Sequence, residues 1–573
     1  MRINKKNLIV FLISFLLVGI GFVIIYKNVG IYYAINDDTS MRDIVSGAID
    51  GTHESHIVFI YYIIGVFLSW LYMLKSGIDW YGLFMLGVFA VSLSIIISKL
   101  YIVASKKKRY GLFLCTLLLI LILMFRHIVE FQWTVVAVLP AIAVIVLLIL
   151  KEERYVFDAE TVVIIALSLV SFSIRQTVFY LALPMIGFII VGYYLIPLMK
   201  NSIKNDDRKK ILSVIAPIGI ILFFMFLIVK QNTMAYQDEA WKEYKVFNSA
   251  RAEIQDYGNF LPYEGNEQFY DEIGFRKEDV AMLPQFGLMM NFDSAQMRSI
   301  ADYFNEQKSE RSMEEKIDLT IEVVKSVFLN ETYTEMHCIM FSLLGLFLVY
   351  AFIYKKNLLI KIGILLLQVA ILLFLAYMGR FPARIVTIYD FYMIFFCLTV
   401  IYDEIKIDDR SNFGKKCVYI LLILLLGQIS VDDINTRINK TVEYEKKVLL
   451  YDEINSYVEA QNGEIVVVST GTFNTKERFV VHKEAKVYCK IGTAGWSSHS
   501  PYSIRKREML GIDSNEMFLL KDNIQYMTID LDKAQRVCDY YSLHSDKLVG
   551  YEIVNCVTFS NGNTVYVCKF FEY

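Results

Sequence analysis

Asp37 and Asp38 stand side by side in Asn36-Asp37-Asp38-Thr39-Ser40-Met41-Arg42, just after the first apolar segment of a 573-residue chain. One of two adjacent carboxylates can take a proton from an attacking hydroxyl while its neighbour orients that hydroxyl or holds a cation. The same loop ends in Gly51-Thr52-His53-Glu54-Ser55-His56. There His53 and His56 could donate to a phosphate, and His56 with Asp38 could hold a divalent metal. A blander reading makes Asp38, Thr39 and Ser40 the cap of a helix whose first turn carries Asp43. An acidic pair and a histidine turn held against a membrane surface suit chemistry on lipid-linked substrates.

The arginines are the second signal. Arg126, Arg175, Arg380 and Arg384 sit at the ends of apolar segments, where a charge inside the bilayer would cost roughly 2.5–3.5 kcal/mol on insertion scales. Guanidinium groups hold phosphate through forked hydrogen bonds, which an ammonium does less well. Taken singly, each arginine could be snorkelling to the interface, and Glu130 with Gln132 could neutralise Arg126. Arg380 and Arg384 are the stronger pair, because Gly379 and Pro382 shape a tight turn around them. Arg175 falls in Ser173-Ile174-Arg175-Gln176, which could belong to a helical hairpin. Arg251, in Asn248-Ser249-Ala250-Arg251, could contact a substrate or be structural. Trp496, in Gly495-Trp496-Ser497-Ser498-His499-Ser500-Pro501, could be a carbohydrate platform or a packed domain junction.

The elements that must position these residues follow from composition. With 56% hydrophobic residues, the chain reads as a polytopic membrane protein, since several runs approach the ~20 residues that cross a hydrocarbon core. Those runs begin near residue 7 and cover 110–125, 133–150, 211–229, 336–354, 357–378 and 416–430. Basic clusters at Lys106–Arg109, Lys151–Arg154, Lys200–Lys210, Lys355–Lys356 and Lys406–Lys416 belong on the cytoplasmic side. That rule conflicts with a span at 57–74. The conflict disappears if 57–74 is re-entrant or surface-lying and 80–101 is the second span, anchored by Trp80-Tyr81. The count is then about eleven spans, N-terminus inside and C-terminus outside.

Under that topology a membrane domain, 1–431, carries an outer loop at 27–79 and a large helical outer loop at 231–335. A small extracytoplasmic α/β domain follows at 432–573. Its strand signals are Glu464–Thr470 and Thr564–Cys568, the latter after an Asn561-Gly562 turn. Net charge is −2, so a nucleic-acid partner has no support. Cys115, Cys338, Cys397 and Cys417 read as small buried hydrophobes. Cys489, Cys538, Cys556 and Cys568 lack CxxC spacing, which argues against zinc, and allow one or two disulfides. Neither P-loop, GxGxxG, HExxH nor GxSxG occurs in usable context.

On these features the chain resembles the GT-C superfamily of integral-membrane glycosyltransferases, among them protein O-mannosyltransferases and aminoarabinose transferases. Asp37-Asp38 matches the acidic pair of that family's first outer loop, and the His56 turn, the apolar stretch 57–74 and Trp80 follow in the family's order. Two departures stand out: Asp38 replaces the family's Glu, and His53-Glu54-Ser55-His56 replaces its His-Pro-Pro turn. The chain is also similar to bacterial membrane proteins sharing Asp-Asp, Ser-Gly and Gly-Arg-x-Pro-x-Arg elements, which name no substrate. The resemblance implies an enzyme of the bacterial plasma membrane that moves a sugar from a polyprenyl-phosphate donor to an extracytoplasmic acceptor glycan or polymer. It implies Asp37 as base, and arginines on the donor phosphate. The rivals are a flippase or transporter of lipid-linked glycans and a glycan polymerase or ligase.

Overall fold

The computed structural model describes residues 5–200, 207–256, 260–284, 292–329, 334–354, 358–378, 383–404, 431–512 and 517–573. Arg380, Cys417 and the apolar run 416–430 lie outside them. The chain begins with α1 (Lys5–Asn28), α2 (Asn36–Ser46), α3 (Tyr62–Leu74) and α4 (Trp80–Lys106). It continues through α5 (Tyr110–Val129), α6 (Trp133–Leu150), α7 (Ala159–Ile174) and α8 (Gln176–Ile190). Among the described residues, eight helices are long and apolar enough to cross a membrane, and Ala159–Ile174 and Met336–Val349 are shorter apolar helices.

α6 is the central post. Its sequence is apolar all round, which suits a helix with no solvent or lipid face, and every residue from Trp133 to Leu150 is buried. It packs against α4, α7, α8 and the helix Ala383–Glu404. α1 is the opposite case: Leu8, Ile9, Leu12, Ile13, Leu16 and Leu17 are exposed, as lipid-facing side chains would be.

The stretch expected as a helix over 57–74 is helical only from Tyr62. Its 13 residues extend about 20 Å at 1.5 Å per residue, short of a ~30 Å hydrocarbon core. One face, Ile64, Gly65, Leu68, Ser69 and Tyr72, is buried, and Ile63, Val66, Phe67, Trp70 and Met73 are exposed. Gly65 is needed here because the backbone of Ser55 crosses it. A Cβ at that position would stand 1.9 Å from the Ser55 carbonyl oxygen.

The basic ends of the bundle meet. Lys106, Lys107, Lys151, Arg154 and Asp403 border one cavity of about 520 Å³, and Arg109 donates to the Tyr402 carbonyl at 2.9 Å. α6 and the helix Ala383–Glu404 therefore run between this basic end and the end that carries Trp133 and Arg384.

Residues 231–335 are helical where described, as expected, with helices at Glu239–Arg251, Ser294–Ser309 and Met313–Phe328. Their core is divided: Tyr236, Trp241 and Tyr244 pack with the membrane bundle, and the rest is shared with the C-terminal domain. Phe247, Ile254, Phe275, Val280 and Ile300 pack in one cluster with Ile465, Val467, Tyr526 and Val537.

Two two-residue strands, β1 (Tyr32–Tyr33) and β2 (Glu130–Phe131), pair in parallel. The C-terminal domain contains β3 (Ile465–Val468), β4 (Lys490–Gly492), β5 (Ile524–Thr528), β6 (Val549–Thr558) and β7 (Thr564–Glu572), in the order β4-β3-β5-β7-β6. β3 is parallel to β4 and β5, while β5–β7 and β6–β7 are antiparallel. The β6–β7 hairpin closes at Gly562, whose φ is 80°. Side chains alternate across β3: Ile465 and Val467 face the outer-loop helices, and Val466 faces the helix Val431–Ala460 through Leu450, Ile454 and Val458. Covering on both faces explains an unbroken Ile-Val-Val-Val run.

The cysteine expectations need correction. Cys489, Cys538, Cys556 and Cys568 are all unbonded, and Cys338 is exposed, not a buried hydrophobe.

Candidate functional site

α2 starts at Asn36, so Asp37 and Asp38 occupy its first turn, where the helix dipole favours negative charge. Neither they nor Ser40 cap the helix: Ile35 is the capping residue and makes no side-chain bond. At about 100° per residue the two carboxylates leave the helix in different directions, and their surroundings separate their roles.

Asp38 points inward and is 0% exposed. Its Oδ1 accepts from the Tyr81 hydroxyl at 2.9 Å and from the Trp133 backbone N–H at 3.1 Å. Its Oδ2 has no partner among the described residues. Burial pushes the carboxyl well above the usual range, more than Tyr81 and Trp133 pull it down. Asp38 is thus a buried bracket tying α2 to α4 and α6. Asp38→Asn keeps the acceptor and is expected to change stability by less than about 1 kcal/mol, whereas Asp38→Ala orphans two buried donors at about 1–3 kcal/mol each. Denaturation midpoints of the two variants in detergent check this.

Asp37 points into the site, with a side chain 18% exposed. The Trp496 indole donates to its Oδ1 at 3.1 Å, and Arg384 Nη1 lies 3.7 Å from its Oδ2. Burial raises the Asp37 pKa above the ordinary value of 3.8, while Arg384, the indole N–H and Arg175 pull it back. Arg175 forms the single-residue joint between α7 and α8, extended at φ −152° and ψ 98°. Its guanidinium lies 4.5 Å from the Trp133 ring centre and 5.8 Å from that of Phe59. Phe59 packs edge-on against Trp496 at 4.6 Å. One carboxylate, two guanidiniums and three aromatic rings thus converge from the segment between α1 and α4, α6, the α7–α8 joint, the helix Ala383–Glu404 and the C-terminal domain.

The other anticipated residues are placed elsewhere or at the rim. Arg126 is 3.8 Å from Glu130, whose Oε1 also takes the Tyr444 hydroxyl at 2.5 Å and Lys476 at 3.3 Å. That is a separate cluster, as neutralisation by Glu130 would have it. His56 is structural: Nδ1 meets Glu54 at 2.6 Å, Nε2 meets the Ala235 carbonyl at 2.9 Å, and the ring stacks on Trp241 at 4.4 Å. His53 stacks on Tyr72 at 6.3 Å. Asp38 and His56 therefore do not form a shared metal site. Among the described residues no three His, Cys, Asp or Glu side chains group as metal ligands. Arg251 bonds Asn248 at 2.9 Å and pairs with Asp256 at 3.3 Å.

Asp256 itself was not anticipated, and its charge opposes ionisation of Asp37. It is exposed and paired with Arg251, and it acts on Asp37 only through its charge. It ends a π-helical turn, Ala252–Asp256, and nothing in its neighbours' sequence marks it. Also unanticipated is the buried cluster on the other side of α2. There Arg42 meets Asp43 at 2.6 Å and Glu477 at 2.8 Å, with Lys483 also on Glu477. Arg42 and Asp43 were visible within the acidic motif, but their partner 435 residues away was not.

No protein-family model, curated protein or solved structure matches the chain. The site's chemistry therefore rests on its own geometry. A partly desolvated carboxylate of raised basicity can accept a proton, and the guanidiniums beside it can hold an oxyanion.

Proposed function

We propose that the chain is a membrane glycosyltransferase that moves a sugar from a polyprenyl-phosphate donor to an acceptor glycan or polymer at the outer face of a bacterial plasma membrane. The observation that carries this reading is the Asp37–Arg384 contact of 3.7 Å, at the end of the bundle opposite its basic rim. Arg384 and Arg175 bind the donor phosphate, and Arg380 belongs to the same turn in sequence. Phosphate entry draws Arg384 away from Asp37 and leaves the carboxylate free to take the acceptor's hydroxyl proton. The acceptor oxygen attacks the anomeric carbon as the bond to the lipid phosphate breaks, and the arginines stabilise the charge left on that phosphate. Trp496 supplies a ring on which a sugar can stack. The basic ends face the cytoplasm, the outer loops and C-terminal domain face outward, and α3 rests at the outer surface, giving about eleven spans.

The test is the composition of envelope glycans from deletion cells carrying the wild-type protein or Asp37→Asn at equal abundance. Loss of one sugar, with its lipid-linked donor accumulating, is the expected result. Unchanged glycans alongside a deletion that does alter them would remove Asp37 as base. Arg384→Gln is expected to raise the donor KM about tenfold or more, with Arg384→Lys recovering part of it; donor titrations of the purified protein check this.

One observation favours a second reading, a transporter of lipid-linked glycans. His337 and Asp390 approach at 3.0 Å, 5% and 0% exposed, between the helices Thr334–Tyr354 and Ala383–Glu404. Buried ionisable pairs within a bundle are typical of proton-coupled carriers. Loss of flipped donor with no defect in transfer, after His337→Gln, would bring that reading forward.

A further inference from the structure

α2 has a second working face. Asp37 occupies one side, and Thr39, Arg42, Asp43 and Ser46 lie about 140–240° around the helix from it at roughly 100° per residue. Those four residues line a cavity of about 360 Å³, completed by the helix Val431–Ala460 and by residues 475–490 and Lys506 of the C-terminal domain. The cavity is separate from the Asp37 site and is not used in the transfer chemistry above.

Its charges are not all spoken for. Asp43 and Glu477 are committed to Arg42, and Glu477 also to Lys483. Arg42 is 3% exposed at its side chain, and its Nη1 is buried with no hydrogen-bond partner among the described residues. Lys490 and Lys506 both line the cavity, and neither has a carboxylate at ion-pair distance among the described residues. The Lys490 ammonium donates to Asn455 Oδ1 at 2.7 Å and lies 5.3 Å from the Tyr451 ring centre and 5.8 Å from that of Tyr488. Burial and, after it, the neighbouring Lys506 lower its pKa to about 8 against the opposing pull of Glu477 and Asp43. Two adjacent ammoniums with no carboxylate at ion-pair distance and a guanidinium N–H with no hydrogen-bond partner, among the described residues, form a place for an anionic group. Asp452 and Glu484 also line the space and suit donation from sugar hydroxyls, while the tyrosines offer faces for a ring.

We propose that this cavity binds an acidic saccharide unit, its anionic group held by Arg42, Lys490 and Lys506 and its ring laid against Tyr451 and Tyr488. A second saccharide site, one helix away from the transfer site, would let the protein sense or hold an acidic envelope glycan independently of donor binding.

The experiment is calorimetric titration of the full-length protein in detergent with glucuronate, glucose and inorganic phosphate. Saturable glucuronate binding, no measurable glucose binding, and about tenfold weakening in Lys506→Met and in Lys490→Met is the expected pattern. Lys506→Arg, which keeps the charge, should retain binding and controls for folding. Asp37→Asn should bind glucuronate as the wild type does, so failure of the transfer reading leaves this one standing. Absence of glucuronate binding, or binding unchanged in both methionine variants, overturns the proposal. Phosphate binding as tight as glucuronate also overturns it, reducing the cavity to a plain anion hole.

Discussion

Asp37→Asn is expected to slow sugar transfer by roughly 10²–10⁴-fold, the usual contribution of a positioned general base, with little change in stability. The amide still accepts from the Trp496 indole, and the residue's only ion pair among the described residues is the 3.7 Å contact with the partly exposed Arg384. The pH dependence gives a sharper test. Transfer requires the ionised carboxylate, and burial holds the Asp37 pKa above 3.8. The acid limb of the rate profile should therefore lie above the ordinary carboxylate range and vanish in Asp37→Asn. Arg384 favours the ionised form, so Arg384→Gln should move that limb to higher pH as well as weaken donor binding. Initial rates across pH with purified protein check both. A limb unmoved by Arg384→Gln would mean that the titrating base is not Asp37.

The second large effect is on stability. Glu477 is 8% exposed and its only cationic partners at ion-pair distance among the described residues are Arg42 and Lys483. Glu477→Gln leaves the buried Arg42 with Asp43 as its remaining counter-charge, and losing the charged hydrogen bond to Glu477 is expected to cost about 1–3 kcal/mol. The seam is otherwise built of main chain: Tyr33 N–H donates to the Glu477 carbonyl at 3.0 Å and Phe479 N–H to that of Ile31 at 2.8 Å. Replacing both, Arg42→Met with Glu477→Met, removes the coupled pair together, so the cost should fall short of the sum of the single changes even though Asp43 and Lys483 each lose a partner. Burial would raise the Glu477 pKa, but Arg42 and Lys483 override it and hold the carboxyl down to about 2. A depressed carboxylate stabilises the fold above its unfolded value and loses that contribution as pH falls. The loss should run from about 4.5 down through 2. Denaturation midpoints in detergent, with protease cleavage between residues 470 and 490 as a local probe, read both effects.

How much of this was legible depended on the length scale of the signal. Apolar runs report length and hydropathy directly, so most of the long apolar helices, and the shortness of the helix within 57–74, could be read from the sequence. Strand periodicity and an Asn-Gly turn are equally local, and β3 and β7 fell where they were expected. The site is a different matter. Asp37 and Trp496 were each visible, but periodicity carries no information about their meeting. Asp38 looked equal to Asp37 because the residue type and the loop were the same; only its burial beneath α4 and α6, where Tyr81 and Trp133 bond it, sets it apart as structural. His56 was misread for the same reason, since its partners Trp241 and the Ala235 carbonyl come from a distant loop. Asp256 went unnoticed because an isolated carboxylate at the end of a helix is ordinary until the fold sets it beside another.

The Trp496–Asp37 bond spans 459 residues, and that separation has a consequence for how the protein is made. Asp37 emerges with the first loop, but its indole partner is synthesised roughly 20–90 s later at 5–20 residues per second. Until Trp496 has been made and its domain has folded, Asp37 stands without its indole partner. A chain stalled or clipped before residue 496 carries the whole described helical bundle and lacks the contact that closes over Asp37, so the site is finished only after the bundle is.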